Sequence, residues 1–213
     1  MDSLFKTKKK FRYIFILDSR NWFASCRDRF DPKVDLVLTY DLGLKHEIES
    51  RGGLSFYVDH LINNAGWGKN APVVNAKVED WDRTFRVNLR APMLLTQLVL
   101  PTLIEKRAGA IVNIGSVSGK MGQADTSAYC ASKFGLIGFT ESLFQEVREY
   151  GIKVSVILPG FVDTPLIPPT RKLDRSKMIC PEDIAQAVLF VLSCPPNSCP
   201  VEITVRPQKS PYK

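Results

Sequence analysis

Along the chain, runs of apolar residues alternate with stretches of helical period. Val34 to Tyr40 and Leu54 to Val58 read as strands, with a short helix over Leu44 to Ser50 stopped by Arg51-Gly52-Gly53. Asp59 alone separates the second of these strands from the apolar run Leu61-Ile62-Asn63, which ends at a loop of small residues. Two parallel strands need a crossover of a dozen or more residues, so either one bent strand lies here or a crossover helix is missing. Beyond this point the pattern is regular. Helices are predicted over Glu79 to Leu89 and Ala91 to Lys106, with Pro92 where the helix bends or restarts, over Ser127 to Glu149, and from Pro181 to about Ser193. Ala110 to Gly115 and Ile152 to Leu158 are continuous apolar strands, as in the buried middle of a parallel sheet, and Val201 to Val205 is a last strand. Such alternation predicts an α/β fold, a doubly wound and mostly parallel sheet with ligands at the carboxyl ends of its strands.

Composition narrows this picture in a few places. At 213 residues the chain is long enough for one domain with a real core. Residues 1–33 form a divergent basic segment containing Lys6, Lys8, Lys9, Lys10 and Arg12, and residues 34–213 are read as the single folded domain. Phe11 to Leu17 is a candidate strand inside that first segment. No run of 18 apolar residues occurs, which argues against a membrane span. The net charge is +7, but no nucleic-acid motif accompanies it, and the lysine run reads as a solvated tail. Five cysteines without a C-x-x-C pair and only two histidines give little support for a disulfide framework or a metal site. A reducing compartment, cytoplasmic or organellar, is the expectation.

The candidate chemistry centres on Tyr129 and Lys133. Four residues apart on a helix, they stand on one face. A tyrosine hydroxyl titrates near ~10, and lowering it by about 3 for work near neutral pH takes about 4 kcal/mol. A lysine cation at about 4 Å in a partly shielded site supplies on the order of 4 kcal/mol. Three further segments end strands of the predicted sheet: Asn63-Asn64-Ala65-Gly66, Ile114-Gly115-Ser116-Val117-Ser118, and Leu158-Pro159-Gly160-Phe161-Val162-Asp163-Thr164.

In this order and spacing the segments resemble the short-chain dehydrogenase/reductase family, with its NAD(P)-binding Rossmann fold, from roughly Leu61 to Val205. The resemblance implies an oxidoreductase that interconverts a secondary alcohol and a carbonyl compound by hydride transfer. It implies catalytic roles for Asn88, Ser116, Tyr129 and Lys133. Tyr129 would be the acid or base, Lys133 would lower its pKa and bind the nicotinamide ribose, Ser116 would hydrogen-bond the carbonyl oxygen, and Asn88 would hold a helix kink and a proton-relay water. Asp59 is implied as an adenine contact, and Asn64, Ala65 and Gly66 as lining the adenosine side. Pro159, Gly160, Val162 and Thr164 would hold the carboxamide end. The cofactor is NADP or NAD, with a lean to NADP, although Asp41 at the end of the second strand would favour NAD. A small carbonyl or alcohol substrate and a homodimer or homotetramer are likewise implied. The final strand lacks a V-D-G-G ending, a weak lean toward relatives acting on small hydroxy acids.

The family's glycine-rich phosphate turn has no counterpart, because no glycine precedes Gly43 and Asp18-Ser19-Arg20-Asn21-Trp22-Phe23 follows the candidate first strand. Together with the missing helix before Leu61, this raises the alternative of a cofactor-impaired or non-catalytic remnant, such as a truncated isoform, in which two blocks are lost or replaced.

Overall fold

The computed structural model describes residues 13–17, 36–39, 58–167 and 169–212. Six parallel strands form one sheet: β1 (Tyr13–Leu17), β2 (Leu36–Thr39), β3 (His60–Asn63), β4 (Gly109–Ile114), β5 (Ile152–Pro159) and β6 (Glu202–Val205), in the spatial order β2-β1-β3-β4-β5-β6. The candidate strand over Phe11 to Leu17 is thus present as β1, flanked by β2 and β3. The order reverses at β1, since β2 lies on one side of it and β3 to β6 follow on the other. Sheets that reverse in this way bind ligands in a crevice at the carboxyl ends of the strands flanking the reversal, here β1 and β3. The predicted helix over Leu44 to Ser50, the predicted strand over Leu54 to Val58 (Val58 excepted), Asp41 and the segment after β1 lie outside the described residues.

Along β3, β4 and β5 the side chains point alternately to the two faces, and helices cover both. On one face Leu61, Ile111 and Val154 meet Leu95, Val99 and Leu103 of α2 (Ala91–Lys106) and Leu143 and Val147 of α3 (Ser127–Val147). On the other, Ile62, Val112 and Ile157 meet Ile184, Val188 and Val191 of α4 (Pro181–Ser193). Near-continuous apolar strands follow from this two-sided burial. The turn before α4 is held by Asp183, whose carboxylate accepts from the Cys180 backbone N–H at 3.0 Å, behind a proline at the first helical position. Behind α3, Gly151 adopts φ +71°, the left-handed conformation that lets the chain leave the helix and enter β5.

The predicted break near Pro92 takes a specific form. A helix α1 (Val78–Phe85) runs into a π turn over Arg86–Arg90 and then into α2. By length and composition the helical run Val78–Lys106 is capable of crossing a bilayer, but half of its most apolar window is buried inside the fold. It is packed as a core helix.

Asp59 takes a position that overturns its expected cofactor role. It immediately precedes β3, so it lies at the amino end of the sheet, opposite the crevice. There its carboxylate pairs with Lys106 at 3.0 Å, and its carbonyl faces Gly109 at the start of β4. A four-residue strand is about 13 Å long, which separates Asp59 from any ligand at the carboxyl ends. The resemblance implied an aspartate that ends a strand; Asp59 instead leads straight into the start of β3.

His60, the first residue of β3, gives the fold an acid-sensitive point. Burial, opposed by Asp59 and assisted by Lys153 and Lys106, lowers its pKa from 6.5 to about 4. Because the folded value lies below the unfolded one, the stabilisation is complete above about pH 6.5 and is lost as the pH falls through 4. It amounts to about 3 kcal/mol. His60→Gln should therefore flatten the pH dependence of urea unfolding between pH 7 and pH 4; equal pH slopes in variant and parent would contradict this.

Candidate active site

The site is assembled from the loops after β3, β4 and β5 and from the first turns of α3. Asn63 ends β3, and Asn64, Ala65 and Gly66 continue from it into the loop above the sheet. Asn113 lies beside Asn63 across the ladder, and the next strand end brings Gly115 and Ser116 out at the same edge. Beneath them runs a buried polar chain. The Asn63 amide donates to Asn113 at 2.8 Å, the Asn113 amide to Thr140 at 2.9 Å, and the Thr140 hydroxyl to the Leu136 carbonyl at 2.7 Å. It ties β3 and β4 to α3, so the helix carrying Tyr129 and Lys133 has a fixed height above the strand ends.

Tyr129, Lys133 and Ser116 converge there. Tyr129 is half-buried with the Ser116 side chain close enough to act on its phenol, and the Lys133 ammonium stands 5.8 Å from the centre of its ring. Ser116 Oγ also accepts from the backbone N–H of Ser118 at 3.1 Å. With that lone pair occupied, the serine proton is left to donate toward the phenol oxygen or a group placed beside it. Lys133 is buried, and its Nζ donates to the Ile114 carbonyl at 2.8 Å.

The electrostatics depart from the sequence expectation. Burial holds the Tyr129 phenol above the ordinary tyrosine value, and the neighbouring Ser116 side chain acts in the opposite direction. Lys133 does not set this balance. Its ammonium is turned onto Ile114 and is itself depressed from 10.5 to about 8 by burial. Spacing of four residues placed the two on one face, but the tyrosine's desolvation outweighs the attraction that spacing promised.

Asn88 lies in the π turn, fully buried. Its carbonyl oxygen accepts from the Trp67 backbone N–H at 2.8 Å, and its amide donates to the Trp67 carbonyl at 2.8 Å and to Ser132 Oγ at 3.0 Å. Ser132 in turn donates to the Tyr129 carbonyl at 2.7 Å. The extra residue of a π turn aims this side chain across to α3. Ser132, Trp67, Asn113 and Thr140 were not singled out from the sequence. Small polar residues inside otherwise apolar segments were the available signal, and only burial shows that they bond to one another.

The loop after β5 borders the same edge. Pro159 ends β5, the Gly160 N–H donates to the Val205 carbonyl at 2.8 Å, and Val162 bridges to Ile179. Thr164 donates its N–H to the Val162 carbonyl at 2.8 Å, while its own carbonyl accepts from Arg175 at 3.1 Å. Arg175 also bonds the Ile167 carbonyl at 3.0 Å and pairs with Asp163. Among the described residues no cluster of three or more His, Cys, Asp or Glu side chains comes together as a metal site would need.

A doubly wound parallel sheet with these groups at its carboxyl edge is a Rossmann-type α/β architecture. The profile of the short chain dehydrogenase family matches residues 52–174, more than half of the chain. The protein belongs to that family. It is 37% identical over 145 residues to a 3-oxoacyl-(acyl-carrier-protein) reductase of Thermotoga maritima, covering 64% of this chain and 59% of that protein. It is 40% identical over 144 residues to carbonyl reductase family member 4 of Xenopus tropicalis, covering 65% and 61%. The chain thus spans about 60% of the length of these curated relatives. Among solved structures, 4-hydroxyisoleucine dehydrogenase complexed with NADH and succinate superposes with a TM-score of 0.73 at 28% identity, over 90% of this chain and 87% of that one. The closed form of a serine dehydrogenase complexed with NADP+ shares the fold, with a TM-score of 0.74 at 23% identity over 92% and 84%.

Proposed function

We propose that this protein is a nicotinamide-dependent oxidoreductase that interconverts a secondary alcohol and a ketone or aldehyde, with Tyr129 as the acid or base. The observation that carries this reading is the convergence of the Ser116 and Tyr129 side chains at the mouth of the sheet, with the buried Lys133 ammonium beside them. Relatives that are reductases, and structural neighbours complexed with NADH or NADP+, support it.

The residues present suit such a cofactor at its nicotinamide end. Lys133 has three donor protons and gives one to Ile114, which leaves two for a ribose diol. Gly66 borders the same ammonium, a Cβ there lying 4.0 Å from Nζ. Asn64, Ala65 and Gly66 would line the adenosine side, and Pro159, Gly160, Val162 and Thr164 the carboxamide side. NADP is the coenzyme we favour over NAD. A bound nicotinamide supplies or takes up the hydride. Ser116 holds the carbonyl oxygen by a hydrogen bond, and Tyr129 gives its phenolic proton to that oxygen in reduction or removes it from the alcohol in oxidation. A phenol held above the ordinary tyrosine value is protonated throughout the neutral range, so this geometry is better supplied with acid than with base. Met93, Leu94 and Leu98 of α2 and Phe134 of α3 are exposed, which supports association of this chain into a homodimer or homotetramer. A reducing setting, cytoplasmic or organellar, fits a chain with five cysteines and no C-x-x-C pair.

Titration of the purified full chain with NADPH and NADH, followed by nicotinamide fluorescence, tests the reading. Saturation at micromolar concentration is expected, tighter for NADPH. A chain that binds neither at millimolar concentration, a difference of about 4 kcal/mol, is the cofactor-impaired remnant and not the enzyme.

A further inference from the structure

We infer that Gly68 is a positioning residue for Tyr129: the space its missing side chain leaves is the space the phenol ring occupies. This rests on the reading of Tyr129 as the acid or base. A Cβ at residue 68 would lie 2.8 Å from Tyr129 Cδ2, 3.4 Å from Cγ and 3.5 Å from Cε2. The first distance is well inside the roughly 3.5 Å at which carbon atoms rest against one another. The two nearest atoms, Cδ2 and Cγ, belong to the rooted half of the ring, so the clash is not one that a loose side-chain end can avoid. Nor does the backbone require glycine, because the described glycines with positive φ are Gly109 and Gly151. The requirement at 68 is steric.

What decides the outcome is which partner yields. The loop is held on one side, since Trp67 exchanges both backbone hydrogen bonds with the Asn88 amide, packs its indole against the core and carries the Arg83 guanidinium 4.8 Å from its ring centre. Tyr129 is held on the other side at its backbone, by Ser132, which is bonded to the same Asn88 amide. One buried asparagine therefore fixes both walls of the contact. An added methyl group at 68 has to be absorbed by rotation of the Tyr129 ring, and the displacement is largest at the far end, where the hydroxyl meets Ser116.

The test is Gly68→Ala in the full chain, alone and combined with Ser116→Ala. Because the backbone at 68 suits any residue, Tm should stay within a few degrees of the parent. NADPH affinity by fluorescence should stay within about threefold. Displacing the hydroxyl by about 1 Å should lower kcat on the order of 10²-fold. In the Ser116→Ala background, where the alignment is already lost, the same substitution should cost less than about threefold. The equal loss expected of a general structural defect in both backgrounds would overturn the inference, as would a kcat within threefold of the parent. A readout without turnover separates this inference from the functional reading. In protein labelled with 3-fluorotyrosine, the Tyr129 fluorine resonance is the one lost in Tyr129→Phe, and it should move in Gly68→Ala. Should the parent neither bind cofactor nor turn over, that resonance decides alone: a shift upholds the positioning contact, and an unmoved line refutes it.

Discussion

Tyr129→Phe should reduce turnover on the order of 10³-fold while leaving NADPH binding within a few fold of the parent. The substitution keeps the ring that fills the space beside Gly68 and removes only the hydroxyl that meets Ser116. Stability should change by no more than about 1 kcal/mol, the net value of one hydrogen bond. Loss of rate without loss of affinity is the signature of a group that acts in the transition state and contributes little to ground-state binding. Steady-state kinetics and fluorescence titration on the same preparation separate the two. A residual rate within tenfold of the parent would remove Tyr129 from the proton transfer and leave Ser116 or a solvent molecule to do that work.

Lys133→Met should remove turnover as well, and it should change how stability depends on pH. The buried ammonium has a folded pKa of about 8 against 10.5 for an unburied lysine. Below about pH 8 both folded and unfolded chains hold the proton, and the burial penalty is present in full. Between pH 8 and 10.5 the folded chain has released its proton while the unfolded chain keeps it, so stability from this group rises with pH. Above 10.5 the penalty is gone. The total is about 3 kcal/mol. The parent should thus gain about 3 kcal/mol relative to Lys133→Met between pH 7.5 and pH 10.5, equivalent to about 6–12 °C in Tm. Thermal melts at three pH values across the window measure it. A difference between parent and variant that does not change with pH would mean that water reaches the ammonium.

The pH behaviour of Lys133 and the position of Asp59 show how differently the levels of structure were legible. Helix and strand positions from His60 onward followed from period and composition, because two-sided burial makes β4 and β5 mostly apolar and because Pro181, Glu182 and Asp183 mark a helix start chemically. The pairing of Tyr129 with Lys133 on one face likewise needs nothing beyond the 3.6-residue turn. The sign of the tyrosine's pKa displacement was not legible. It depends on how much water is removed around the ring, and that is set by Gly68, Ser116 and the strand ends together. Asp59 was misread for a related reason. Its neighbours in sequence resemble those of a ligand-contacting aspartate, whereas its place at the amino end of β3 is a property of the sheet.

The π turn at Arg86–Arg90 is the clearest case of information that no period contains. The sequence indicates a helix, an interruption near Pro92 and a second helix; it does not say that Asn88 will be turned inward to bond Trp67 and Ser132 at once. By itself the chain's pattern of apolar and polar residues determined the α/β alternation, the two-sided core and the identity of the groups at the strand ends, since each of these follows from local geometry and burial. Tertiary structure alone decided which of those groups touch, which end of the sheet each one faces and how far each is removed from water. Those are distances between residues far apart in sequence, 61 positions for Gly68 and Tyr129, and only packing sets them.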